Sequence, residues 1–388
     1  MIAFFAGCGS NSPEQPDNPN PEPEIPTPDT PDDPAAQLPV PGLSFSSVIL
    51  PNEGDTFSCT IHGLANNDWS AESSESWCDV SVKDSILKIT VEPNLESNDA
   101  RSTAVSILQS DKTVIGWFYV RQQSTTNENP LESSIATKQS FFPVFTATWC
   151  PFSPDMDRTL PEIQKRWDYP ILPMRIHVKN SALYIPLSGE LSQLYGNTST
   201  PTGYFENYFQ VGNMSDGNVS VDHFWNLIMS NTCLGSGYTS LCSTLGCKAS
   251  MSETQVNAEI TIDPLERGEY RLQAFIVEDN VISPQMSKTG DEFKDYCHNS
   301  VLKGALTPAD GQMLEMSSLP KTFKFSGSIP DGANPSNLRL LIVLQRNAGS
   351  LNYSNQCWYA DNCLSVPLGK TAGNGTIENI YVGDEIQN

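Results

Sequence analysis

The stretch FTATWCPFSP, Phe145 to Pro154, ends one element and begins another. Upstream, QSFFPVFTATW reads as a strand rich in aromatic and β-branched residues. Downstream, SPDMDRTLPEIQKRW has helical charge and spacing. Ser153 suits an N-cap, Pro154 the first helical position, and Asp155 and Asp157 the positive end of the helix dipole. Cys150 therefore sits where a strand hands over to a helix N-terminus, a position that favours a thiolate. A dithiol site would place a second cysteine three residues later. The chain has Ser153 there.

Reading outward, PILPMRIHV is a second strand, SGELSQLYG a short helix ending at Gly196, and TPTGYFENYFQV opens a third strand. The order strand, helix, strand, helix, strand implies an α/β unit. Thr200-Pro201 stands just before that third strand. The Trp149-Cys150 turn and Pro201 together resemble a thioredoxin-like domain. The resemblance implies Cys150 as nucleophile and Pro201 as a cis-proline whose backbone faces it. Ser153 departs from the pattern, since a hydroxyl cannot resolve a mixed disulfide. Monothiol exchange stays open, and so does an idle cysteine.

Residues 43–124 read as all-β, with TFSCTIHG, WCDVSVKDSILKITVEP, TAVSILQS and VIGWFYVRQQ separated by turn signals. WSAESSESWCDVSV, LKITVEPNLESNDARSTAVSI and GWFYVRQQ resemble a BACON domain, an immunoglobulin-like module of Bacteroidetes. That resemblance implies a carbohydrate-binding module or a spacer. Trp69, Trp77 and Trp117 read first as core, because a sugar platform needs an exposed aromatic face.

Beyond a helical stretch DHFWNLIMSN, the chain turns β-rich again and suggests a second sandwich. EYRLQAFIVEDNV, YCHNSVLKGALTPADGQ, NLRLLIVLQ and CLSVPLG resemble the Omp-twenty-eight family of Bacteroidetes outer-membrane lipoproteins. With the α/β unit, the resemblance covers about residues 135–388. It implies location and architecture more than a reaction.

The N-terminus, MIAFFAGCGS, places Ala6-Gly7 before Cys8, like the end of a lipoprotein signal in which the cysteine takes the lipid. No Lys or Arg occurs before Lys83, so the basic start of such a signal is missing. This reads as a late start or a fragment. The following residues to about 42 are dense in proline and acids, which favours an extended stalk. A net charge of -23 argues against nucleic acid and against electrostatic docking on anionic lipid. No stretch approaches the roughly 20 apolar residues of a membrane span. Ten cysteines in an exported chain suggest disulfides, with Cys357–Cys363 and Cys59–Cys78 as candidate pairs. Cys233, Cys242, Cys247 and Cys297 could form two further pairs, which leaves Cys150 over. His62, His177, His223 and His298 show no metal spacing, and His298 beside Cys297 reads as structural.

The expected fold class is multidomain α+β: an immunoglobulin-like β-sandwich, a thioredoxin-like α/β domain and a C-terminal β-sandwich. The expected boundaries are 1–42 for signal remnant and stalk, 43–124 for the sandwich, 125–134 for a linker, 135–250 for the α/β domain and 251–388 for the second sandwich. The expected function is a non-catalytic, lipid-anchored envelope binding or assembly protein at the outer membrane, on the cell surface or the periplasmic face. Its partners would be a glycan or an envelope protein, with no cofactor, no metal and no nucleic acid. The alternative is a monothiol thiol-disulfide exchanger or isomerase using Cys150.

Overall fold

The structure is a computed structural model that describes residues 46–62, 69–84, 86–95, 100–123, 134–167, 171–207, 209–213, 242–265, 267–317, 320–347, 358–373 and 379–381. Cys8, the stalk, Cys233, Cys357 and the expected helix at 222–231 lie outside the described residues.

Period-two alternation of apolar side chains builds the first region. It contains β1 (Ser46–Leu50), β2 (Asp55–His62), β3 (Trp69–Ser73), β4 (Cys78–Lys83), β5 (Ile86–Val91), β6 (Arg101–Gln109), β7 (Val114–Gln122) and β8 (Ser134–Thr137). One sheet runs β3-β6-β7-β1-β8, and a second contains β2-β5-β4. Leu87 and Ile89 from β5 meet Val105, Ile107, Phe118 and Val120 in a shared core. Trp69 belongs to that core, and Trp77 packs on it while the Arg101 guanidinium lies 4.3 Å over its ring.

The stretch around Cys150 forms β9 (Ser140–Thr146), α1 (Ser153–Trp167), β10 (Ile171–His177), α2 (Pro186–Leu194), β11 (Thr202–Phe205) and β12 (Phe209–Asn213). All seven residues of β9 are buried, as expected of a strand covered on both faces. Phe141 and Phe145 meet Leu191 of α2. On the opposite side of the strand, Phe142 rests on Gly203. A Cβ at Gly203 would lie 2.1 Å from that ring, so glycine permits the approach. Met156, Leu160 and Ile163 recur at helical spacing and form the buried stripe of α1.

The remaining strands are β13 (Thr244–Met251), β14 (Gln255–Asp263), β15 (Gly268–Glu278), β16 (Val281–Ile282), β17 (Gln285–Met286), β18 (Glu292–Phe293), β19 (Cys297–His298), β20 (Val301–Ala305), β21 (Gln312–Met316), β22 (Lys321–Ser328), β23 (Leu338–Asn347), β24 (Trp358–Pro367), β25 (Thr371–Gly373) and β26 (Asn379–Tyr381). A sheet ordered β22-β14-β13-β25 packs on β15 and β23, where Ile260, Leu245, Tyr270, Leu272 and Ile342 share one core. Phe275, Val277, Leu341 and Val343, on the other face of β15 and β23, join the core of Phe141 and Phe145. β15 and β23 are thus buried on both faces, which explains their unbroken apolar runs AFIV and LLIVL. β26 pairs with β2, so the end of the chain returns to the first region.

The expected α+β class with a thioredoxin-like α/β domain is corrected here. The described residues are mostly strand, with two α-helices, and β9 to β12 do not make a sheet of their own. One sheet runs β12-β11-β9-β10-β20-β15-β23-β24, with β21 beside β15. The join is β10 to β20, parallel, where the Arg175 N–H donates to the Ser300 carbonyl at 2.7 Å. The pattern near Cys150 shows a local order of elements, but not which distant strand takes the open edge of β10.

The same sheet is drawn together elsewhere by Lys138. This residue is 1% exposed. Its ammonium donates to the carbonyls of Ala360 (2.7 Å) and Asp361 (2.8 Å) on β24 and pairs with Glu206 at 3.1 Å. Lys138→Met is expected to leave the Glu206 carboxylate without its cation and to cost about 3–5 kcal/mol. Urea unfolding of the full chain checks this, and an unchanged midpoint would contradict it.

Candidate functional site

The loop after β9 turns tightly before α1. The Cys150 N–H donates to the Ala147 carbonyl at 3.1 Å, and the Ser153 N–H donates to the Cys150 carbonyl at 3.3 Å. The turn directs the Cys150 side chain inward, leaving the residue 3% exposed. Its sulfur lies 3.5 Å from the Thr200 carbonyl, with S–H as donor. The Thr200–Pro201 bond is cis. The structure thus brings Cys150 and the Thr200–Pro201 peptide together. Ser153 is also buried, and its hydroxyl accepts the Ala147 N–H at 3.5 Å. It serves the turn and does not face an open surface. Trp149, immediately before Cys150, is 47% exposed.

Gln285 completes the site. Its Nε2 donates to the Cys150 carbonyl at 2.8 Å and reaches the Ala147 carbonyl at 3.4 Å. Beside it, the Met286 N–H donates to the Thr148 carbonyl at 2.8 Å. The hairpin from β16 to β19 therefore lies directly on the Cys150 loop. Sequence reasoning missed Gln285, because a glutamine in a short, weakly patterned segment carries no local signal for a contact so far back along the chain.

On the other side of the loop, the Ser181 hydroxyl accepts the Thr148 N–H at 3.0 Å and bonds His177 Nδ1 at 2.8 Å. His177 serves Ser181 rather than the Cys150 sulfur. Burial is the largest cause that lowers its pKa, to about 3, with His298, Arg175 and Lys303 adding repulsion. The ring is neutral near pH 7. His298 packs against it edge-on at 5.3 Å and donates from Nε2 to the Ser283 carbonyl at 3.3 Å. Among the described residues no cluster of His, Cys, Asp or Glu is placed to hold a metal.

Among the described residues the other cysteines, except Cys297, behave as core residues. Cys59 and Cys78 carry free, buried thiols, so the expected bridge between them is absent. Both strands flank β5, where Cys59 stands opposite Leu87 and Cys78 opposite Val91. A strand lies between them, beyond the roughly 7 Å limit for a disulfide. Burial pushes the Cys59 thiol up to about 12. Cys242 and Cys247 are free and buried as well, with pKa values raised by burial to about 12 and about 11. The Cys363 sulfur donates to the Gln139 carbonyl at 3.0 Å. Cys297 is free and exposed.

Comparison with known proteins bears on the C-terminal half. The model of the family described as outer membrane protein Omp28 matches residues 190–357. That span contains Pro201, Gln285 and three of the four C-terminal phrases that resemble the family. Cys150 and Ser153 lie outside it. The match supports an outer-membrane location for the chain. No helix among the described residues is long and apolar enough to cross a membrane. No curated protein matches. Among solved structures, HBP35 of Porphyromonas gingivalis is 18% identical, with 60% of this chain and 76% of that chain covered and a TM-score of 0.49. A structural-genomics protein of Agrobacterium tumefaciens is 15% identical, with 60% and 94% covered and a TM-score of 0.38. A Bacteroides ovatus GH5 xyloglucanase is 22% identical over 21% of this chain and 18% of that one, with a TM-score of 0.17. At these scores the structural likenesses carry no functional argument.

Gln285→Ala removes a donor from buried carbonyls of the Cys150 loop and is expected to cost about 1–3 kcal/mol. Urea unfolding and alkylation of Cys150 read the effect together. A lower midpoint with faster labelling is the expected result, and no change in either would contradict the role given to Gln285.

Proposed function

We propose that the protein is a non-catalytic binding or assembly component of the cell envelope, held at the outer membrane through a lipid on Cys8. The observation that carries this reading is the state of the thiol. Cys150 is buried with its S–H given to the Thr200 carbonyl, and Ser153 is turned into the same loop. An efficient exchanger needs an accessible thiolate and a second thiol to release the mixed disulfide. Neither requirement is supported by this geometry. In this reading the proline-rich stalk and the first sandwich hold the C-terminal half away from the membrane surface. Trp69 is buried and one face of Trp77 is covered by Arg101, which favours a spacer over a sugar-binding platform for the sandwich.

One observation keeps the monothiol alternative in view. Cys150 is outside any disulfide and stands three residues before α1, beside the exposed Trp149. Alkylation of the native protein, read by peptide mass spectrometry, separates the two. The binding reading expects Cys150 to label only on unfolding, and Cys150→Ala to retain the same envelope partners in pull-downs. Fast native labelling, with partners trapped as mixed disulfides, would support the exchanger instead. Loss of Cys8→Ala from the membrane fraction is the result expected for the anchor; a variant that stays there would contradict it.

A further inference from the structure

The hairpin 281–298 differs from the rest of the described structure in how it is held. Its buried residues are Ser283, Gln285, Ser287 and His298, all polar. None belongs to a hydrophobic core cluster. Polar contacts dock much of it: Gln285 and Met286 on the Cys150 loop, the Tyr296 hydroxyl donating to Asp157 of α1 at 3.0 Å, and Lys288 paired with Asp155 at 2.5 Å. Elements held this way open locally at lower cost than elements with buried apolar contacts.

Two neutral histidines meet at the foot of this hairpin. His177 is on β10, beneath it, and is 1% exposed, with Nε2 buried and without a hydrogen-bond partner. His298 is on β19, and the Tyr296 ring packs on it at 4.8 Å. The charged groups around the pair come from every neighbouring element. β10 supplies Arg175 and β20 supplies Lys303, both of which oppose a proton on His177. α1 supplies Asp157, which favours a proton on His298 but already holds Arg175 at 2.7 Å and the Tyr296 hydroxyl. Arg158 of α1 adds positive charge near Tyr296. Lys303 is itself paired with Glu278 of β15 at 3.0 Å. Among the described residues, the two carboxylates named here, Asp157 and Glu278, each already hold a cation.

We infer that hairpin 281–298 is an acid-released latch over the Cys150 loop, opened by protonation of the His177–His298 pair. This inference does not depend on whether Cys150 reacts. The direction follows from linkage. Both rings titrate below their ordinary value in the closed state, burial being the main cause. A ring freed by opening titrates near 6.5. Below that pH the open state takes up protons that the closed state refuses, so acid favours opening. Each ring contributes up to about tenfold per pH unit until it titrates in the closed state as well.

Hydrogen–deuterium exchange of the full chain, corrected for intrinsic rates, tests this at pH 7 and pH 5. The latch predicts that protection in 281–298 falls about 10-fold or more toward pH 5, while β15 and β23 keep theirs. His298→Gln should reduce that difference to the part carried by His177. A hairpin already unprotected at pH 7, protection that does not change with pH, a loss shared equally by β15, or an unaltered pH response in His298→Gln would each overturn the inference.

Discussion

The Lys138 ammonium is the contact on which the body of the molecule depends. A buried cation is tolerated only where its donors find acceptors. Lys138 finds three, two carbonyls of β24 and the Glu206 carboxylate just after β11. Glu206 in turn accepts the Ser140 hydroxyl at 2.6 Å, at the start of β9. Burial raises the Glu206 pKa, and the Lys138 charge beside it works in the opposite direction. Asn362 reinforces the same junction. Its amide donates to the Thr137 and Ser243 carbonyls, and its oxygen accepts the Gln139 and Cys363 N–H groups. The linker before β9, the end of β11, the start of β13 and β24 therefore meet at one polar knot. With β10 joined to β20 on the other side, the segment around Cys150 is held at both ends by strands much later in the chain.

That arrangement explains what was legible in the sequence and what was not. The elements were legible because their signals are local. FFPVF reads as a strand, Ser153 and Pro154 announce α1, and the alternation in LKITV gives β5. Sheet neighbours were not legible, because nothing in ILPMRIH names β20 as a partner. The α/β class followed from element order alone, and pairing between distant strands overrode it. Lys138 carried no local signal, since the two carbonyls it binds on β24 lie more than 200 residues away in the chain.

The cysteine count misled for a related reason. Parity in an exported chain assumes that cysteines pair. Cys59 and Cys78 instead fill positions in the core of the sandwich, where a thiol packs as a small apolar group. Cys150 is similar in burial but differs in setting. It lies under a hairpin docked by polar contacts, between Gln285 on one side and the Ser181–His177 pair on the other. Apolar burial on both faces of β15 and β23, set beside a hairpin whose buried residues are polar, is expected to give regions of different local stability. A binding function at the outer membrane would draw on the first for support and on the second for response.

The central structural claim is that the segment around Cys150 shares one sheet, and one fate, with the C-terminal strands. Hydrogen exchange across a urea series, resolved to β9, β10, β15 and β23, tests it most directly. A single cooperative body predicts that the most protected amides of all four strands reach the same opening free energy with the same urea dependence. Earlier opening of β9 and β10, with a shallower dependence of their own while β15 and β23 stay protected, would show an independent domain and contradict it.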